Sequence, residues 1–176
     1  GDVIDERGIA FELVQEWNDL YTESRAATLQ IKSWKNSTFP EFGDRPQAII
    51  NRQVVDGCDI VIGIFWTRFG SHTGVAESGT EEELRRSIAS GKPVLLYFSD
   101  IPANPSKIDA GQYHKVRAFR DEFRNTGLLW SYETTDQFRG VLRRHLERAV
   151  QQVLKRLRIE HVTPHAVVPS ALHIET

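Results

Sequence analysis

Apolar positions near the start of the chain recur every three or four residues. Ala10, Leu13, Val14, Trp17, Leu20 and Tyr21 share one face if Val3 to Tyr21 coils as a helix. The period then drops to two. From Thr28 to Trp34, Leu29 and Ile31 alternate with Gln30 and Lys32, which predicts a half-exposed outer strand. Lys35 to Arg45 mixes Asn, Ser, Thr, Pro and Gly and predicts a long loop. Asp44-Arg45-Pro46 then supplies a capping residue and an early proline to open a second helix, Pro46 to Asp56. Asp59 to Trp66 is a continuous β-branched run of the kind found in strands covered on both faces, and it is the candidate central strand.

A glycine-containing loop, Thr67 to Ser78, leads to a helix over Thr80 to Ser90. Gly91-Lys92-Pro93 stops it and launches a strand, Val94 to Phe98. Gln112 to Asn125 predicts a helix and Leu128 to Tyr132 a strand. The terminal helix, Thr135 to about Leu157, carries Phe138, Val141, Leu142, Leu146, Ala149, Val150, Val153 and Leu154 on one stripe. Alternating strands and helices imply right-handed crossovers and a parallel sheet between two helix layers. The expectation is a three-layer α/β sandwich with four visible strands, one domain over 1–157, and a linker or C-terminal extension over 158–176.

Composition narrows the function classes. The chain has 176 residues, 40% hydrophobic and 26% charged, which suits one folded domain. A net charge of -2 gives no global field for nucleic acid or a membrane, and neither is expected as a direct partner. Arg139, Arg143, Arg144 and Arg148 read as a solvated face, because Asp136 and Glu147 interrupt them. The single cysteine, Cys58, reads as a buried inert thiol. No stretch approaches the roughly 20 apolar residues of a membrane span, and a cytoplasmic protein is expected. His161, His165 and His173 are irregularly spaced, so no metal site is expected; His114 and His145 read as structural or exposed. A start at Gly1 without any methionine reads as part of a longer polypeptide with further domains.

Candidate chemistry centres on Glu77 to Glu83. This segment follows the candidate central strand, where ligands sit in parallel α/β sheets, and it ends at a helix N-terminus. Capping competes with catalysis here. Thr80 with Glu83, or Ser78 with Glu81, has the spacing of a capping box. Glu81 and Glu82 read as helix-surface charges four residues from Arg85 and Arg86. Glu83 adjoins the apolar stripe of Leu84 and Ile88, so it can stand at the rim of the crevice. Trp66, Arg68 and Phe69 either stack on a base and pair with a phosphate, or anchor the loop by packing.

Gly79-Thr80-Glu81-Glu82-Glu83-Leu84 resembles the G-T-x-x-E-[LI] element of nucleoside deoxyribosyltransferases, and the same strand, loop and glutamate is similar to that of Toll/interleukin-1 receptor (TIR) domains. Gly1-Asp2-Val3 with Glu6-Arg7, Trp17-Asn18, Pro46 to Asn51 and Phe65 to Gly70 more closely resembles an uncharacterised bacterial TIR-like family, over Gly1 to about Val153. The resemblance implies a flavodoxin-like sheet with a further central strand ahead of Gly1. Either the intact protein supplies that strand, or the gap is filled in another way. It also implies that Glu83 is the catalytic carboxylate, with Ser78, Gly79 and Thr80 shaping its pocket.

The activity implied is hydrolysis of the N-glycosidic bond of NAD or a related nucleotide, in an effector domain of an antiviral, defence-type multidomain protein. NAD is then a substrate and no cofactor is needed. An ionised carboxylate suits that chemistry, because it stabilises an oxocarbenium-like ribosyl centre. The alternative is a non-catalytic module that forms homo-oligomers through the loop bearing Trp34, Phe39, Pro40 and Phe42. Exposed rings there favour a partner surface, and buried ones a lid on the core. Deoxyribosyl transfer fits less well, because Phe65-Trp66-Thr67 stands where those enzymes carry an acidic residue.

Overall fold

The computed structural model describes residues 2–32, 37–70, 72–125, 127–160 and 170–175. Its elements in chain order begin with α1 (Ile4–Arg25) and β1 (Leu29–Lys32). Next come α2 (Pro46–Ile50), running on into a π-helical turn, Asn51–Val55, and β2 (Ile60–Phe65). α3 (Gly79–Ala89), β3 (Val94–Ser99), α4 (Ala110–Arg124), β4 (Leu129–Tyr132), α5 (Thr135–Glu160) and β5 (Ser170–Glu175) complete the fold.

The sheet is parallel throughout, in the order β1-β5-β2-β3-β4. All six residues of β2 are buried, as a strand covered on both faces requires. Its alternation divides the interior in two. Ile60, Ile62 and Ile64 join α1 and α5, with Leu13, Trp17, Phe138, Leu142 and Leu146, in one core. Val61 and Phe65 join Leu84 of α3 and Val116 and Phe119 of α4 in the other. The result is the expected flavodoxin-like α/β sandwich.

Three expectations change in detail. Leu20 is 69% exposed, lining an open cleft between α1 and α5 instead of filling the core. The second helix is α-helical only through Ile50; the π turn that follows turns Asn51 inward, where it is fully buried. In the segment expected as linker or extension, α5 continues to Glu160 and Ser170–Glu175 forms a strand. β5 stands between β1 and β2, with Leu29 opposite Ser170 and Ile60 opposite Leu172. It takes the central slot for which the resemblance required a strand. Leu172 to Glu175 does alternate apolar and polar residues, but so short a run after prolines and histidines gives little periodicity to read.

Gly63 sets the height of α3 above the sheet. A Cβ there would lie 2.9 Å from a Leu96 methyl and 3.0 Å from both Leu84 methyls. Leu84 is fully buried, so it cannot swing into solvent to make room. Gly63→Ala should therefore cost about 1–3 kcal/mol through overpacking, read as a lower urea midpoint with an unchanged denaturant slope.

Candidate functional site

α3 begins by resolving the capping competition. Ser78 is its N-cap: the Oγ accepts from the Glu81 amide at 3.0 Å, and Glu81 Oε2 accepts from the Glu77 amide at 2.9 Å. The Ser78 bond satisfies one donor that a helix start leaves open, and the Glu81 bond ties down the residue before the cap. Of the two spacings, Ser78 with Glu81 is the one used.

Glu81 and Glu82 are not plain surface charges. Glu81 is 9% exposed and, besides capping, accepts from Arg85 Nε at 2.8 Å, the ion pair expected from spacing. Glu82 does not pair with Arg86, which turns instead to Asp56 at 2.6 and 2.7 Å. Its carboxylate takes both prongs of Arg45, at 2.8 and 2.6 Å, together with Asn51 Nδ2 and Thr73 Oγ1, each at 2.8 Å. The Arg45 hydrogen bond, outweighing partial burial, holds the Glu82 carboxyl below the ordinary glutamate range. Spacing pointed to Arg86 because the longer-range partner, Arg45, lies 37 residues away.

Glu83 is 3% exposed, and its Oε1 accepts from Gln47 Nε2 at 2.7 Å. Gln47 Nε2 also lies 3.1 Å from Asn51 Oδ1, one helical turn on. Gly79 makes room for this contact, since a Cβ there would come within 2.5 Å of Gln47 Oε1. Ser78 and Thr80 are buried beside it, at 0% and 6% exposure. The expected pocket residues Ser78, Gly79, Thr80 and Glu83 are thus neighbours on one helix turn, with Gln47 laid over them.

Three clefts, of about 690, 470 and 220 Å3, open between α1 and α5, at the β4 edge, and beyond the carboxyl ends of β2 and β3. Glu83 lines none of them. The three residues expected to hold a base and a phosphate do not converge. Trp66 packs on the α1/α5 core and donates its indole N–H to the Ile101 carbonyl at 2.9 Å. Phe69 is buried in the other core against Phe65 and Phe119. Arg68 is exposed. Gln112 clamps this loop, accepting from the Phe69 and Gly70 amides at 2.8 and 2.9 Å.

The loop expected to mediate self-association is open to solvent. Phe39 is 65% exposed and Phe42 is 95% exposed, whereas Trp34 lies outside the described residues. Gln53 and Arg52, both from the π turn, frame it. Gln53 Oε1 accepts from the Phe39 amide at 3.0 Å, Gln53 Nε2 donates to Glu41 Oε2 at 2.6 Å, and Arg52 pairs with Glu41 at 2.5 Å.

Other candidates prove structural. Cys58 is 2% exposed, and burial pushes its thiol up to about 12. His145 Nδ1 lies 2.9 Å from Tyr97 Oη, and its pKa is lowered by burial and by Arg144 and Arg148. Arg139 and Arg143 pair with Glu12 and Glu16 of α1. His114 is exposed, and His161 and His165 lie outside the described residues. Among the described residues no helix is long and apolar enough to cross a membrane.

Sequence reading missed Arg45, Gln47, Asn51 and Gln112. The signal for two of them is present, because Gln47 and Asn51 are four apart on one helix face.

The Arg45–Glu82 pair has a pH signature. A lowered carboxyl pKa stabilises the fold above the ordinary glutamate value of about 4.3, and that contribution is lost as pH falls through the folded value. Arg45→Ala should lower the denaturation midpoint at pH 7, and the gap to wild type should close as the solution is acidified; a gap independent of pH would contradict this.

Comparison with curated proteins and with solved structures gives no match. The family model described as "Domain of unknown function (DUF4062)" matches residues 2–147, and the chain belongs to that family.

Proposed function

We propose that this domain is a TIR-like self-association module whose contact surface is the framed loop bearing Phe39 and Phe42. The carrying observation is the near-complete exposure of Phe42 beside a half-open Phe39 on a backbone pinned by Gln53 and Arg52. A ring held outward on a rigid frame loses little freedom on binding, so preorganisation favours association. Aromatic anchors of this kind carry a large share of interface energy, often 2 kcal/mol or more each. The partner in this reading is a second copy of the chain.

Sedimentation velocity over a range of concentrations tests the reading. Wild type should associate with rising concentration, and Phe39→Ser/Phe42→Ser should weaken that association at least tenfold. Identical sedimentation of the two proteins at every concentration, or a wild type that stays monomeric throughout, would remove the proposal.

The second reading is NAD cleavage at Glu83, and the position of this carboxylate, near the start of the helix that follows the central strand, supports it. In that reaction the C1′–N bond breaks with its electron pair passing to nicotinamide. The Glu83 carboxylate stabilises the ribosyl cation, water adds at C1′, and a proton is released. Gln47 occupies one oxygen of the buried Glu83 carboxylate and moves aside for substrate in this reading. On this reading nicotinamide release should be lost in Glu83→Ala and raised in Gln47→Ala. Release that is absent from all three proteins, or that survives Glu83→Ala, would dismiss it.

A further inference from the structure

The cleft of about 220 Å3 lies beyond the carboxyl ends of β2 and β3, bounded by α4. This is the position at which open α/β sheets take ligands. Its walls combine three guanidinium groups, of Arg117, Arg120 and Arg124, with two carboxylates, of Asp100 and Asp121. Two of the arginines are occupied. Arg120 makes a two-pronged pair with Asp100 at 2.6 and 3.0 Å, and Arg124 stands 3.7 Å from Asp121. Arg117 has no ion pair among the described residues; its guanidinium stands 6.0 Å from the centre of the Tyr113 ring. Arg120 also donates to Ser131 Oγ at 2.5 Å, so its accessible nitrogens are committed within the protein.

An excess cation beside paired charges attracts an anion, and a guanidinium fork matches phosphate oxygens in pairs. Trp66 and Tyr113 also border the cleft and offer flat apolar surfaces. Its volume falls below the roughly 300 Å3 at which pockets for drug-sized ligands begin. The ligand is therefore small.

We infer that this cleft binds a small phosphate ester, with the phosphate on Arg117 and the carbon skeleton against Trp66 and Tyr113. The site is separate from Glu83 and from the Phe39–Phe42 loop, so it stands or falls independently of both readings above. Spacing hid it, because Arg117, Arg120 and Arg124 look like the polar face of an ordinary amphipathic helix.

Calorimetric titration with ribose 5-phosphate, inorganic phosphate and ribose, on the whole chain, tests the inference. Ribose 5-phosphate should bind saturably, inorganic phosphate more weakly and ribose not at all. Arg117→Ala should weaken ribose 5-phosphate binding at least tenfold, Arg117→Lys less, and Lys155→Ala, an exposed residue of α5, not at all. The Trp66 indole N–H resonance, assigned with Trp66→Phe, should shift during the titration. No saturable binding of ribose 5-phosphate, equal binding of ribose, or unchanged affinity in Arg117→Ala would each overturn the inference.

Discussion

Everything in this fold is arranged around a strand that cannot touch water on either side. β2 presents three isoleucines to α1 and α5, and Val61 and Phe65 to α3 and α4, so both helix layers are needed before the strand is covered. Gly63 adds the second half of the constraint. By withholding a side chain at mid-strand it lets Leu84 sit directly on the sheet, and Leu84 fixes the turn of helix that holds Glu81, Glu82 and Glu83. The acidic segment is therefore placed by core packing.

That placement explains why the three glutamates have separate fates. Near the start of α3, Glu81 points back along the axis to complete the cap, Glu82 meets Arg45 and Asn51, and Glu83 meets Gln47. All three carboxylates are satisfied by neighbours, as buried charge demands. A helix start made of three glutamates would otherwise carry crowded like charges, and the arginines and amides of the preceding segments remove that cost.

The elements with long, regular patterns were legible in the sequence. β2 was evident from its unbroken β-branched run, and α5 from a stripe in which Phe138, Leu142, Leu146, Val150 and Val153 are all buried. Two features were not. β5 lies far along the chain from its partners, and no local period reveals which strands it pairs with. Arg45 and Asn51, which hold Glu82, and Gln47, which holds Glu83, lie 31 to 37 residues upstream, so i,i+4 spacing finds Glu81–Arg85 but misassigns Glu82. Composition alone could not reveal that Phe42 is exposed and Phe69 buried. Both are single phenylalanines in polar loops, and they differ because Phe69 falls where β2 delivers it onto Phe65 and Phe119.

The two functional readings meet in one stretch of chain. Residues 39–53 frame the exposed rings through Arg52 and Gln53, and cover the buried carboxylates through Arg45, Gln47 and Asn51. The π turn makes both possible, since Asn51 turns inward to Glu82 while Arg52 and Gln53 turn outward to the loop. Uncovering Glu83 thus means displacing a segment held by the Glu82 pairs as well as by Gln47. Leaving a buried acceptor without its partner costs about 1–3 kcal/mol, more for a charged one. In the described conformation that cost keeps Glu83 closed while the phenylalanines stay open, and on that ground we propose association ahead of catalysis.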